Sequence, residues 1–532
     1  MFSEKETLIA IIATSGHRTE RLFAVALPSV LQQTRPPDLL LIVDDNDDPT
    51  EFDKIAERLR ELTSPLDIRL LHNTRTHGFS GTGAWNTALY YAAAWGEARP
   101  STLWIAILDD DDAWLPHHLE CCSKAIKPDS LAIFGGLGRL HERYSENSRL
   151  RDRSLLTVDN FLYGDPGVQG SNMFFRLPEL LAIGGFDEEL RSSTDRDLMV
   201  RFLAAYGAER CEVLPYHTAL HYVGRDRTVS THPIAKLEGL DVFYKKHLWR
   251  FTDYTVLLRS LERAVRLFHY PHSREVLAAY CKTQEIIAVA MPLHNEEKAL
   301  ERAINSFLEQ SGTTYLPVLF IGDNGVSSLQ KEAMRGLLEQ HPNIVWLEIE
   351  GGTAARARNA LQRAILEYAP NLYGIARLDA DDAFASPTVL ASIEAHLERT
   401  GAGALLASNL QVRGNEVVAE NRATPQLGEP AYLLERLRRM TLGELSAELP
   451  SCNLFVRRAY LRPYPDVPSA EDHWLLVEYL LDQTPNTLCF VPELLHTVYS
   501  LEGSVTSHNR SSQAFIETRQ QLYRYAQQRL QH

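Results

Sequence analysis

Short apolar runs alternate with stretches of helical spacing along the first 110 positions. Residues 8–14 are apolar, and residues 20–33 carry Leu22, Val25, Ala26, Ser29 and Val30 on one helical face. Residues 39–43 are apolar again and run into Asp44-Asp45-Asn46-Asp47-Asp48-Pro49. The apolar run 68–71 precedes a helical stretch around 84–95, and a fifth run, 104–108, ends in the four aspartates 109–112. Strands alternating with helices predict an α/β fold with a mostly parallel sheet covered on both faces. Such sheets hold ligands at the C-terminal ends of their strands, which is where the acidic residues fall.

The same order returns from residue 286. The apolar run 286–291 is followed by a helical stretch 299–310 that repeats a Ser-x-x-x-Gln sequence. Asp44-Asp45-Asn46 becomes Asp323-Asn324-Gly325, Asn86 becomes Asn359, and Asp109-Asp-Asp-Asp112 becomes Asp379-Ala-Asp-Asp382. Ser171-Asn172 becomes Cys452-Asn453, Thr194-Asp195 becomes Glu471-Asp472, Tyr222 becomes Tyr499, and His232 becomes His508. Offsets between the landmarks stay between 270 and 281 residues, so the chain reads as a tandem duplication of one domain. That period is too long for a solenoid. The expected layout is a first domain at 1–236, a helical connector at 237–285, a second domain at 286–510 and a C-terminal helix at 511–532. The tail is expected to occupy the place after domain two that the connector's first helix occupies after domain one.

Composition narrows the function. A length of 532 residues suits two to four domains. With 54 Lys+Arg against 69 Asp+Glu the net charge is −15, which lacks the electrostatic footprint of a nucleic-acid binder. No apolar run reaches the roughly 18–20 residues that span a bilayer. The first residues are acidic where a secretory leader would be basic, so a cytoplasmic protein is expected. The six cysteines form no C-x-x-C pair and are expected to be reduced.

Carboxylates gathered at a strand end are costly to hold together without a cation. Two Asp side chains at i and i+2 of an extended segment point to similar sides and can share a divalent metal through hard oxygen ligands. Asp109/Asp111 and Asp379/Asp381 have that spacing. A solvated turn or cap would look the same in one copy; recurrence in both favours the metal. His232 and His508 each follow a short Ser/Thr-Val segment and are candidate metal ligands on the same ground, with His217, His221 and His496 as neighbours that compete for the role.

The ordered set resembles glycosyltransferase family 2, the inverting enzymes of the GT-A fold. Domain two carries an opening strand and loop at Ala288–Glu297, Asp323-Asn324-Gly325 at the second strand end, Arg356-Ala-Arg358-Asn359 at a helix start, a DXD motif at Asp379-Ala-Asp381 and an ED motif at Glu471-Asp472. Domain one adds Gly184-Gly185-Phe186-Asp187-Glu188 ahead of Asp195. The resemblance implies a donor site built from Asp44, Asp45, Asn86, Asp109, Asp323, Arg356, Arg358, Asn359 and Asp379. Asp44 and Asp323 would meet the nucleobase, and Asp109 and Asp379 would assist through ribose or water. It implies Mn²⁺ or Mg²⁺ held by Asp109, Asp111 and His232 in one copy and by Asp379, Asp381 and His508 in the other, with Asp195 and Asp472 as general bases. The partners implied are a nucleotide sugar, UDP-linked by family default, and a glycan, lipid-linked or protein acceptor.

The copies also differ. Domain one has Trp85 where domain two has Arg358, Thr194 where domain two has Glu471, and Asp197 where domain two has Trp474. It carries instead Arg75, His77 and a glycine-rich run, 78–83, whose backbone could approach phosphates. The expectation is a bifunctional enzyme; the alternative is one catalytic domain beside a degenerate binding domain.

Overall fold

The computed structural model describes residues 6–77, 80–99, 101–140, 145–147, 150, 152–222, 232–294, 300–414, 416–482, 484, 486–499 and 513–531. The chain divides into two compact units, Met1–Tyr270 and Pro271–His532. The stretch 237–285 is shared between them: helices Pro233–His247 and Tyr254–Phe268 belong to the first unit, and helix Ser273–Thr283 to the second.

In the first unit the strands are β1 (Glu6–Thr14), β2 (Leu39–Asp44), β3 (Ile68–His72), β4 (Thr102–Asp109), β5 (Ala113–Trp114), β6 (Ala132–Leu140), β7 (Ser145–Asn147), β8 (Met173–Arg176) and β9 (Cys211–Tyr222). They form one sheet in the order β3-β2-β1-β4-β8-β6-β9-β5, with β7 beside β6. The second unit has β10 (Ile286–Leu293), β11 (Leu316–Asp323), β12 (Ile344–Glu348), β13 (Leu372–Arg377), β14 (Ala383–Phe384), β15 (Ala404–Arg413), β16 (Glu416–Asn421), β17 (Leu454–Arg457) and β18 (Leu488–Tyr499). Their order, β12-β11-β10-β13-β17-β15-β18-β14 with β16 beside β15, matches the first sheet strand for strand. The duplication read from the landmarks is thus a duplication of topology.

Each sheet is mixed. The first four strands are parallel, and β8 or β17 runs antiparallel to both its neighbours. The central strands are apolar on both faces because helices cover both: Leu8 to Ile12, Leu39 to Val43 and Trp104 to Leu108 are buried throughout. Parallel register brings the acidic strand ends to one edge, with Thr14 opposite Asp44 and Ala13 opposite Asp109.

The repeated Ser-x-x-x-Gln sequence pins the loop that follows the acidic motif. Ser29 Oγ accepts from the Trp114 N–H at 3.1 Å, and the Gln33 amide donates to the Leu115 carbonyl at 2.8 Å. Ser306 Oγ accepts from Phe384 N–H at 3.1 Å, and Gln310 donates to the Ser386 carbonyl at 2.8 Å. A polar clamp spanning about 80 residues fixes where the aspartates sit.

In each unit a helix after the last strand returns to the helix that carries the candidate base. In the first, Asp197 is fully buried on helix Thr194–Tyr206 and meets Arg201 at 2.7 Å, Lys246 at 2.7 Å and His247 Nε2 at 2.8 Å. Lys246 and His247 close helix Pro233–His247. In the second, Trp474 packs on Tyr525 of helix Gln513–Gln531, with ring centroids 5.5 Å apart. Leu522 and Ala526 complete that contact in the core around Leu433 and Leu437. Burial alone would raise the Asp197 carboxyl, but His247, Arg201 and Lys246 hold it below the usual carboxylate range. Removing one partner of a buried pair typically costs about 3–5 kcal/mol. Asp197→Ala should therefore loosen helix Pro233–His247, with its amide hydrogen exchange faster by roughly 10²–10³; unchanged protection by exchange mass spectrometry would rule this docking role out.

Candidate active site

Asp44 ends β2 and Asp109 ends β4, on either side of β1. Asp44 accepts from Asn46 Nδ2 at 2.6 Å, and its carboxyl is raised by burial, which that hydrogen bond partly offsets. Asp45 faces Asn73 Nδ2 at 2.5 Å and His77 Nδ1 at 2.7 Å, tying the end of β2 to the loop before the glycine-rich run. Gly78 and Phe79 lie outside the described residues. In the second unit Asp323 accepts from Gly325 N–H at 3.1 Å, Val326 N–H at 2.8 Å and Lys331 Nζ at 2.5 Å. Burial opposes its ionisation, but Lys331 and the two amides hold its carboxyl low.

The four consecutive aspartates divide the work. Asp112 is fully buried and anchors the loop: it accepts from Ser171 Oγ at 2.6 Å and Tyr222 N–H at 3.2 Å, and lies 3.0 Å from His221 Nδ1. Its counterpart Asp382 accepts from Tyr499 N–H at 3.1 Å. Asp110 is buried against Arg18 at 3.3 Å and Thr14 Oγ1 at 2.8 Å; desolvation pushes its carboxyl up to about 7, which Arg18 limits. Asp111 lies 3.1 Å from Arg18 and 3.9 Å from Arg21. Asp109 has no ion pair and no side-chain hydrogen bond among the described residues. Burial and the neighbouring carboxylates, Asp112 first, raise it well above the usual range.

The candidate bases begin helices. Asp195 opens helix Thr194–Tyr206 and Asp472 opens helix Glu471–Leu480. The residue before each helix, Ser193 (φ 61°) and Ala470 (φ 59°), is left-handed although neither is glycine. Conformations of this kind cost energy and persist where surrounding structure enforces them, commonly at functional sites. Asp195 Oδ1 is buried with no hydrogen-bond partner among the described residues. Burial, then repulsion from Asp165, pushes this carboxyl up to about 8, against the pull of Lys236 and His221.

The second unit surrounds the same positions with cations. Arg377, the last residue of β13, bonds Asp379 through Nε at 2.8 Å and Asp472 through a terminal nitrogen at 2.9 Å. Asp472 also accepts from Ser451 Oγ at 2.8 Å and the His473 N–H at 2.9 Å, and His473 Nδ1 lies 3.0 Å from it. Arg358 lies 3.4 Å from Asp379 and pairs closely with Glu471. Burial would raise Asp472, yet His473 and Arg377 hold it well below the usual range. Arg356 is exposed and engages Asp466 at 3.0 Å. Asp381 offers its backbone carbonyl to Arg302.

Several predicted residues occupy other settings. The Asn86 amide clamps the backbone of Phe186, donating at 2.8 Å and accepting at 2.9 Å, and Asn359 clamps Tyr464 in the same way at 2.8 and 2.7 Å. Both amides are thus engaged by the scaffold rather than presented to a donor. His232 caps helix Pro233–His247, its Nδ1 accepting from Ala235 N–H at 3.2 Å; it is not gathered with Asp109 and Asp111. His508 lies outside the described residues. Among the described residues the one trio of His, Cys, Asp or Glu with ligand atoms all within 4.8 Å is His17, Asp48 and Glu51, where Glu51 already accepts from Thr19 and Lys54. Sequence reading missed Arg377 and Ser451, and took Ser171 only as a repeated landmark without a role. An arginine inside an apolar parallel strand, where the first copy has Ile107, was the available signal for the first of these.

A divalent cation fits the first unit. Among the described residues Asp109 makes no ion pair and Asp195 Oδ1 has no hydrogen-bond partner, and Gly170 lies against Asp109, where a Cβ would stand 3.2 Å from Oδ1. Asp109 and Asp111 supply hard oxygen donors. The second unit differs at the first carboxylate of the motif: Asp379 is paired with both Arg358 and Arg377, whereas in the first unit arginines reach only Asp110 and Asp111 among the described residues. The raised Asp195 carboxyl also costs stability. The folded state holds this proton more tightly than the unfolded chain does, so the penalty is absent below about pH 4 and grows as pH rises toward about 8. Asp195→Asn should therefore raise the melting temperature by several degrees at pH 8 and leave it unchanged at pH 4; equal shifts at both would disprove the burial account.

A family model described as glycosyl transferase family 2 matches residues 11–177 and 288–463, one segment in each unit. The chain is similar to the putative colanic acid biosynthesis glycosyl transferase WcaA of Escherichia coli K12, 26% identical over 250 residues, covering 46% of this chain and 82% of that protein. It is 38% identical over 114 residues to the Escherichia coli UDP-Glc:alpha-D-GlcNAc-diphosphoundecaprenol beta-1,3-glucosyltransferase WfgD, covering 21% of this chain and 38% of that relative. Among solved structures, Staphylococcus aureus TarS residues 1–349 with UDP-GlcNAc aligns at 17% identity and a TM-score of 0.40, covering 52% of this chain and 80% of that one. No helix among the described residues is long and apolar enough to cross a membrane.

Proposed function

Because the chain belongs to glycosyl transferase family 2 through both of its units, we propose that it is a two-centre glycosyltransferase working by single displacement on nucleotide sugars. The observation that carries this is the recurrence, on equivalent strands and helices, of an acidic strand end facing a carboxylate on a strained helix start. UDP is the nucleotide proposed, in line with the UDP-Glc in the name of the glucosyltransferase relative.

The chemistry follows from the residue types. The Asp195 or Asp472 carboxylate takes the proton of an acceptor hydroxyl. The acceptor oxygen forms its bond to the anomeric carbon as the bond from that carbon to the diphosphate oxygen breaks. The leaving nucleoside diphosphate keeps the electron pair, and one displacement inverts the anomeric configuration. In the first unit a divalent cation at Asp109 and Asp111 would offset the charge growing on that diphosphate. Asp44 and Asp323, with Asp45, line the edge proposed for the nucleoside.

A second reading keeps one active centre. Asp472 is engaged by Arg377, Ser451 and His473, which favours the second unit as a binding module whose carboxylate is structural. Point variants separate the two. Asp195→Asn and Asp472→Asn should each retain donor binding while one linkage falls by about 10²–10⁴. Mass spectrometry of the products from the full chain reads which linkage is lost. Loss of all transfer in Asp195→Asn together with wild-type rates in Asp472→Asn would establish the single-centre reading.

A further inference from the structure

The two centres differ at four equivalent positions, and the four differences act together. Ile107 of β4 becomes Arg377 of β13, and Trp85 becomes Arg358. Gly170 becomes Ser451, each opening the short turn before the equivalent strands β8 and β17, and Thr194 becomes Glu471. In the first unit Trp85 packs on Phe186, with centroids 4.7 Å apart, and Gly170 lies close to both Trp85 and Asp109. In the second unit the equivalent positions are polar. The Arg377 guanidinium spans Asp379 and Asp472, Ser451 donates to Asp472, and Arg358 bridges Asp379 to Glu471. Arg377 and Arg358 are each about nine-tenths buried, so these are not loose surface pairs.

We infer that Arg377 is the second unit's resident cation, standing where the first unit takes a divalent metal, so that one chain carries a metal-binding centre and a metal-independent one. A guanidinium forked between two carboxylates supplies fixed positive charge and uses the oxygen lone pairs that a metal would need. A divalent ion entering there would meet the repulsion of two buried arginines and would have to displace hydrogen bonds already made. Glu471 completes the set by pairing with Arg358, so that the two arginines face three carboxylates. Fixed donors of this kind can also stabilise charge growing on a leaving diphosphate, as arginine clamps do in phosphoryl transfer. The inference rests on the transfer reading only for that last role; the charge arrangement stands without it.

Metal binding tests it without an activity assay. Mn²⁺ alone is titrated into the full chain, and free Mn²⁺ is counted by electron paramagnetic resonance. The wild type should bind one Mn²⁺ per chain, Asp111→Asn none, and Asp381→Asn still one. Arg377→Ile, which restores the residue of the first unit, should bind one more than the wild type. Two equivalents in the wild type, loss of one in Asp381→Asn, or no gain in a folded Arg377→Ile would each overturn the inference. Should Arg377→Ile fail to fold by circular dichroism, the wild-type and Asp381→Asn counts decide alone. A wild type that binds none, with a gain in Arg377→Ile, would uphold the second unit's assignment while refuting the metal fit of the first.

Discussion

Two carboxylates that approach each other where a parallel strand ends and a helix begins need a counter-charge, and this constraint organises both halves of the molecule. Asp109 with Asp195, and Asp379 with Asp472, are brought near one another by topology. Their backbones are fixed from a distance: the Ser29–Gln33 and Ser306–Gln310 clamps hold the loop after the strand, and a left-handed residue precedes the helix. With the geometry determined, only the neutralising charge is free to vary. The first unit leaves it open, and the second encloses it. The raised Asp195 carboxyl and the depressed Asp472 carboxyl are opposite outcomes of one arrangement.

Much of this was legible in the sequence because it repeats. Acidic residues after apolar runs marked the strand ends: Asp44, Asp109 and Asp323 are the last residues of their strands, and Asp379 follows two residues after β13. The Ser-x-x-x-Gln repeat was visible, and its purpose was not, because its partners lie about 80 residues away. His232 looked like a ligand through its recurrence, yet a histidine immediately before Pro233 also suits a helix cap, and local hydrogen bonding won. Asn86 and Asn359 recur because both copies need the same backbone clamp; recurrence alone cannot separate a scaffold need from a chemical one. Arg377 is the instructive omission. Comparing motifs position by position draws attention to what is shared, whereas the charge balance of the second centre is set by what is not.

The differences between copies are correlated, which is how buried charge must change. Without Arg377, Asp379 and Asp472 would share one fewer cation, and Glu471 without Arg358 would be an uncompensated anion, so a single change at this centre unbalances buried charge. Asp197 and Trp474 follow the same logic away from the centre: one sits among Arg201, Lys246 and the His247 imidazole, the other against an aromatic ring, and each is matched by the helix that returns to it.

That last contrast bears on how a chain containing the same fold twice avoids assembling with its halves exchanged. Tandem domains of like topology are prone to swapping equivalent elements during synthesis and refolding. Here the returning helices are not interchangeable. Helix Gln513–Gln531 offered to the first unit would set Tyr525 against the buried Asp197 and leave that carboxylate without Lys246 and His247. Helix Pro233–His247 offered to the second would bring the Lys246 ammonium and the His247 imidazole against Trp474, with no carboxylate at that position to receive them. A polar socket and an aromatic one thus act as a pair of keyed joints, and the divergence of two surface-to-core contacts enforces correct pairing by making the wrong one expensive.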